Sequence, residues 1–176
     1  MLVLGIDPGT VTTGYGVVEQ LDDRSLRLVE CGVIRTSART PLPQRLREIF
    51  EGVTELMLRH APEAVAVEGV FFGRNARSAM ILGHARGAIL LAASLQNRNV
   101  AEYAPAEVKS AIVGTGRATK DQIGFMTKKL LRLREAPHPE DAADGVAVAL
   151  CHCFRGGAGP LSATPRVGTR ARVVGL

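Results

Sequence analysis

The sequence predicts an α/β protein, with a mixed five-stranded sheet flanked by helices. Three observations predict it. Three strand-like stretches follow one another before any helical periodicity appears. From position 42 onward, strands alternate with helical stretches, a pattern that places helices on the faces of a partly parallel sheet. No internal repeat and no linker divides the chain, and its 176 residues are enough for one domain with a proper core.

The elements follow in order. Leu2 to Ile6 is a short apolar strand, Pro8-Gly9 a turn, and Gly14 to Val18 a second strand, so the two form a hairpin. Arg27 to Thr36 alternates loosely and reads as a third strand. Between Leu42 and Leu58 the apolar residues Leu42, Leu46, Ile49, Phe50, Val53, Leu56 and Met57 recur at helical spacing, with Thr40 before Pro41 as the cap region. Ala64 to Val67 is a buried strand that stops at Glu68. Asn75 or its neighbours cap a long helix that runs to about Leu95. Val100 to Ala104 is a fifth strand. Pro105 to Val113 and Thr119 to Leu133 are helical, and a last helix runs from about Glu140 to Phe154.

No apolar run looks long enough to span a membrane, and no basic region precedes the short apolar stretch at the N-terminus, so the chain reads as cytoplasmic with no membrane partner. Cys31, Cys151 and Cys153 do not form the two separated pairs of a zinc site and read as buried reduced thiols. The net charge is +5. The sequence pI is near 9.6, which suggests a polyanionic partner. Residues 156–176 hold three of the 22 basic residues and no acid, are rich in Gly, Ser, Thr and Pro, and read as a disordered basic tail, leaving 19 basic against 17 acidic residues in a domain at 1–155. Within that domain Lys109, Arg117, Lys120, Lys128, Lys129, Arg132 and Arg134 face only Asp121 between positions 109 and 134: either a nucleic-acid patch or a solvated helix face.

Two strands end in an acid, Asp7 after VLGI and Glu68 after VAV, where a charge without a partner is costly. If those strands are neighbours, both carboxylates enter one crevice. The last helix adds Asp141 and Asp144, three residues apart on one face at its N-terminal end. Taken singly each of the latter is an ordinary first-turn acid. Together, four crowded carboxylates raise one another's pKa values and are tolerated mainly beside divalent cations. Hard oxygen donors suit Mg²⁺ or Mn²⁺, and two such ions about 3.5–4 Å apart serve phosphodiester hydrolysis.

Four blocks, GIDPGTVTTGYG, VEGVFFGRNARSAMILGHARG, YAPAEVKSAIVGTGRATKDQI and EDAADGVAVALCH, resemble the RuvC-type Holliday junction resolvases in order and spacing over positions 1 to 155. The resemblance implies a ribonuclease H-like fold and a homodimeric, metal-dependent endonuclease that resolves four-way DNA junctions by paired symmetric nicks in recombination and repair. It implies that Asp7, Glu68, Asp141 and Asp144 hold two Mg²⁺ ions (Mn²⁺ being an alternative), and that Lys109 and Lys120 contact DNA or assist catalysis. It implies that Phe71 stacks on a base at an opened junction, and that the branch-migration complex RuvA–RuvB is a partner. Two positions depart from the family's pattern. Gly145 stands where alanine is usual, which would weaken the helix by up to about 1 kcal/mol, and Gly69 stands where a bulkier polar residue is often seen.

The remaining residues can be read against that implication. Gly5 to Gly9 is a turn that carries Asp7, and the missing G-K-[ST] excludes a phosphate-binding P-loop. Thr10, Thr12 and Thr13 touch phosphate or bond the turn backbone. Phe71 and Phe72 sit beside Arg74, Asn75 and Arg77, and the expectation is that Phe71 stacks on a base while Phe72 packs. Arg117, in the G-x-G turn before Lys120, joins the expected DNA contacts. Lys120 is also a candidate for stabilising charge in the transition state. Gly83 and Gly87, four apart in GHARG, allow close approach either to the chain's own sheet or to a second copy; the resemblance points to a dimer interface. His138, between two prolines, reaches the metal site or is an exposed turn histidine. An actin-like ATPase needs two such domains, a catalytically silent DNA-binding module would lack a carboxylate, and an RNA–DNA hybrid nuclease remains a rival that substrate assays separate.

Overall fold

The computed structural model describes residues 1–69 and 76–156. The expectations for Phe71, Phe72, Arg74, Asn75 and the tail from 157 onward lie outside the described residues. Among the described residues five strands and five helices follow in the order β1 (Leu2–Asp7), β2 (Thr12–Gln20), β3 (Leu26–Arg35), α1 (Leu42–His60), β4 (Ala64–Glu68), α2 (Ala76–Leu95), β5 (Asn99–Tyr103), α3 (Pro105–Val113), α4 (Lys120–Leu130) and α5 (Glu140–Phe154). The sheet order is β3-β2-β1-β4-β5, antiparallel on the β3-β2-β1 side and parallel across β1-β4-β5, so the predicted mixed five-stranded sheet is present.

Strand alternation divides the core in two. Leu4, Ile6, Val65 and Val67 pack with Ile49, Val53 and Met57 of α1 and Ile89 of α2. On the other face Val3, Ala66 and Ala101 pack with α3, α4 and α5. The same parity puts Asp7 and Glu68 on the α5 side of their strands.

The last helix lies almost on the backbone of the sheet. A Cβ at Gly5 would sit 2.3 Å from the backbone of Gly145 and Ala149, and one at Gly16 2.6 Å from the Val146 Cα. From the helix side, a Cβ at Gly145 would sit 2.5 Å from the Tyr15 Cα. Glycine in a strand interior marks such close approach. This corrects the expectation for Gly145: its effect is to seat α5 low on β2, not merely to lower helix propensity. From Gly145 to Cys153 every residue of α5 is buried.

Some boundaries differ. Pro41, not Thr40, holds the N-cap position of α1, without a side-chain cap bond; its carbonyl accepts from the Gln44 and Arg45 N–H groups. α4 stops at Leu130, and Arg132 takes a positive φ of 52°. By length and mean hydropathy α2 does qualify as a membrane span, contrary to expectation, yet Ala79, Ala85, Ile89, Ala92 and Ala93 are buried in the core. Its apolar character continues onto the outer face, where Met80, Leu91 and Leu95 are 65%, 55% and 60% exposed. Among the described residues a Cβ at Gly83 or Gly87 would meet nothing within 4 Å.

Cys151 and Cys153 are buried free thiols, each pushed up to about 11 by burial, and Cys31 is half-buried. Among the buried polar groups, the Tyr103 hydroxyl and the His152 Nδ1 lie 2.8 Å apart across β5 and α5.

Candidate functional site

The carboxylate edge is built from strand pairing. β1 and β4 run parallel with Val3 opposite Ala64 and Ile6 opposite Val67, so the next residues, Asp7 and Glu68, end adjacent strands side by side. Both stand half-buried at the C-terminal ends of parallel strands, where ligand sites of open α/β sheets form. The turn beyond Asp7 is held by Thr13, whose buried hydroxyl donates to the Gly9 carbonyl at 2.7 Å. This decides the role of Thr13 in favour of the turn backbone. The Thr36 hydroxyl donates to the Thr10 carbonyl at 2.7 Å and ties the same turn to the end of β3.

α5 brings the second pair of acids over the edge. A Cβ at Gly14, the β2 partner of Asp7, would sit 1.8 Å from the Asp141 carbonyl oxygen. The helix start is therefore pressed onto the strand beside Asp7. Glu140 and Asp141 lie in the first turn of α5; Asp144 stands one turn further on, facing the same side, rather than in the first turn.

The electrostatics follow from crowding. Burial, and then the charges of Asp144 and Asp141, push Asp7 up to about 6, while a hydrogen bond with Glu68 and the charge of Lys120 oppose the rise. Burial, then the charge and hydrogen bond of Asp7, push Glu68 up to about 8, with Lys109 of α3 pulling the other way. Both strand-end acids are thus raised, burial being the first cause in each. Asp144 is also raised, by burial first, against the pull of Lys120.

Lys120, the first residue of α4, spans two acids of α5. Its Nζ forms a close ion pair with Glu140 and lies 3.3 Å from Asp144 Oδ2. The bond to Glu140, ahead of the charge of Asp144, holds the ammonium well above the usual lysine range. Thr119 caps the helix that carries it: Thr119 Oγ1 accepts from the Gln122 N–H, and Gln122 Oε1 from the Thr119 N–H. Glu140 was not singled out from the sequence; an acid directly before Asp141 at a helix start was the available signal.

The donor set fits a divalent cation. Two carboxylates at the sheet edge and two at the start of α5 offer hard oxygen donors, and burial with neighbouring charge works against the ionisation of Asp7, Glu68 and Asp144, which a cation would relieve. As they stand, the acids are engaged with one another and with Lys120, and among the described residues no three His, Cys, Asp or Glu side chains converge at metal-ligand spacing.

The other expected residues are more scattered. Lys109 is half-buried on α3 and close enough to act on Glu68. Arg117 is exposed in the turn before α4, and Arg77 is exposed at the start of α2. His138 is exposed beside Pro139 and lines a hollow between α4 and α5, together with Lys120 and Asp144.

Comparison with known proteins gives a consistent result. Residues 3–152 match the family model described as "Crossover junction endodeoxyribonuclease RuvC". A protein of that name from Halorhodospira halophila is 52% identical over 161 residues, covering 92% of this chain and 94% of that one. The solved Thermus thermophilus RuvC structure is 41% identical and superposes with a TM-score of 0.83 over 92% of this chain and 99% of that one. The same protein solved in complex with a Holliday junction substrate superposes at 0.82, with 38% identity over 92% of this chain and 98% of that one.

Proposed function

The chain belongs to the RuvC family of crossover junction endodeoxyribonucleases, and from that premise we propose that it resolves four-way (Holliday) DNA junctions by paired, symmetric nicks. The observation that carries the reading is the carboxylate edge. Asp7 and Glu68 end neighbouring parallel strands, and α5 presses Asp141 and Asp144 against them. The domain spans residues 1–155, and the reaction serves homologous recombination and DNA repair in the cytoplasm, alongside the branch-migration complex RuvA–RuvB.

Asp7, Glu68, Asp141 and Asp144 would hold two Mg²⁺ ions, or Mn²⁺ in their place. When bound, such ions supply an activated water and stabilise the leaving oxygen of the phosphodiester. The chain's own cations position the substrate. Lys109 stands beside Glu68 and Lys120 beside Asp144, so each places positive charge where a scissile phosphate meets the acids. Lys120 also stabilises the charge that develops on the phosphate in the transition state. Arg77 and Arg117, with Phe71, Arg74 and Asn75 of the segment before α2, extend the contact along the DNA arms. Binding then weakens steeply as salt rises, because phosphate contacts release counterions.

Two cuts need two sites. The outer face of α2 exposes Met80, Leu91 and Leu95 around the open positions Gly83 and Gly87. A second copy seated on that face forms a two-fold homodimer, which matches a near two-fold junction.

The test compares a synthetic mobile four-way junction with a matching linear duplex, in Mg²⁺, for the wild type and Asp7→Asn. Paired nicks confined to the junction, and lost in the variant, are the expected result. Tight junction binding without cutting under Mg²⁺ or Mn²⁺ would leave a silent binding module instead. Equal cutting of both substrates would keep the nuclease and remove the junction selectivity.

A further inference from the structure

Beside the carboxylate edge lies a hollow of about 320 Å³ between α4, the turn at 136–138 and the start of α5. Its size is at the lower end of small-molecule sites, which run from about 300 to 1,000 Å³. The walls are largely apolar, formed by Ile123 and Phe125 from one side, Pro137 from the second and Ala143 from the third. Lys120 and Asp144 stand in its lining and also belong to the carboxylate edge. A group held in the hollow is therefore a close neighbour of whatever phosphate meets the acids.

Phe125 is the anomaly in this arrangement. It is 57% exposed, on a helix whose other large apolar residues turn inward. Lys129 Nζ lies 4.9 Å from the ring centroid, and the hollow that the ring lines holds Lys120 together with the acids Asp121, Glu140 and Asp144. An exposed ring with Lys129 against it, opening onto a hollow with apolar walls, matches a ligand with a flat aromatic part, and Lys129 and Lys120 are the cations available to its phosphates. Rings of that kind are stacking platforms for nucleobases, and neighbouring cations hold the phosphates.

We propose that this hollow receives a nucleobase of the cleaved strand, next to the scissile phosphate, with Phe125 as its stacking surface. The proposal rests on the junction-cleavage reading and deepens it, because a base lodged beside the acids makes the rate of cutting depend on which base is there. His138, exposed on the hollow's wall, is placed to meet the polar edge of the base.

The experiment uses four-way junctions with 2-aminopurine at successive positions around the cut. Binding is read by fluorescence in EDTA and cutting in Mg²⁺, for the wild type, Phe125→Ala and Phe125→Trp. At one position, binding changes the fluorescence of the wild-type complex. Phe125→Ala abolishes that change and narrows the spread of cutting rates among junctions differing at that position by about tenfold, with junction affinity within about twofold of wild type. Phe125→Trp restores both. The same fluorescence and the same sequence preference in Phe125→Ala would overturn the proposal, as would a uniform loss of affinity for every junction. If the wild type cuts no four-way junction at all, the broader reading fails and takes this one with it; if it cuts and Phe125 is indifferent, only the nucleobase site is lost.

Discussion

Replacing Gly14 with alanine places a methyl wedge under the start of α5. The new Cβ would lie 1.8 Å from the Asp141 carbonyl oxygen and 2.5 Å from its carbon, both backbone atoms that no side-chain rotation can clear. Ordinary contact begins near 3.4 Å, so the Asp141 backbone must retreat by about 1.6 Å or β2 must give way. β2 is hydrogen-bonded on both sides, to β1 and β3, so the helix start is the part that moves. Overpacking of this kind costs roughly 1–3 kcal/mol, which in a domain of this size lowers Tm by several degrees. The catalytic loss should be larger. Asp141 moves with the backbone while Asp7 and Glu68 stay on the sheet, and a misplacement of about 1 Å can cost on the order of a hundredfold. Thermal denaturation gives the first quantity and single-turnover junction cleavage the second. Wild-type cutting together with wild-type Tm in Gly14→Ala would refute the close seating of α5 and, with it, the account of how the four acids are gathered.

Two further predictions concern buried polar groups. The carboxyl of Glu68 is raised from 4.5 to about 8 in the folded chain, so the folded state holds its proton more tightly than the unfolded state does. The stability that proton confers is complete below about pH 4.5 and is lost as pH rises through 8. In EDTA, Tm should therefore fall from pH 5 to 8.5, Glu68→Gln should flatten that fall and melt higher than wild type at pH 8, and a variant that tracks the wild-type curve would contradict the assigned burial. Tyr103→Phe removes the partner of the buried His152 ring and should cost about 1–3 kcal/mol in urea denaturation; an unchanged midpoint would show that the pair contributes nothing.

Much of this protein is local and so was open to reading along the chain. Apolar periodicity and turn residues marked all ten elements, because strand and helix periods are set by backbone geometry within a few residues. Asp7 and Glu68 announced themselves as charges ending apolar runs, and Asp141 and Asp144 by their helical spacing. The resemblance of four blocks to one nuclease family supplied the roles that spacing alone left open.

What only the tertiary structure decided depends on contacts between residues distant in the chain. The parallel pairing of β1 with β4 turned two strand-end acids, 61 positions apart, into neighbours, and Asp7 raises the hold of Glu68 on its proton only because the sheet sets them side by side. The cause of Gly145 was hidden, since a glycine lowers helix propensity in any sequence, and only Tyr15 lying against it shows why it is there. The opposite holds for Gly83 and Gly87, where a Cβ would meet none of the described residues. Nothing along the chain set Glu140 or Phe125 apart; folding placed the first against Lys120 and left the second exposed beside a hollow lined by Lys120 and Asp144. Sequence by itself settled which residues are ionisable and the order and kind of the elements, though not every boundary. Packing settled which charges meet, because a carboxylate's chemistry depends on the distance to its neighbours, and that distance is a property of the assembled sheet and helix.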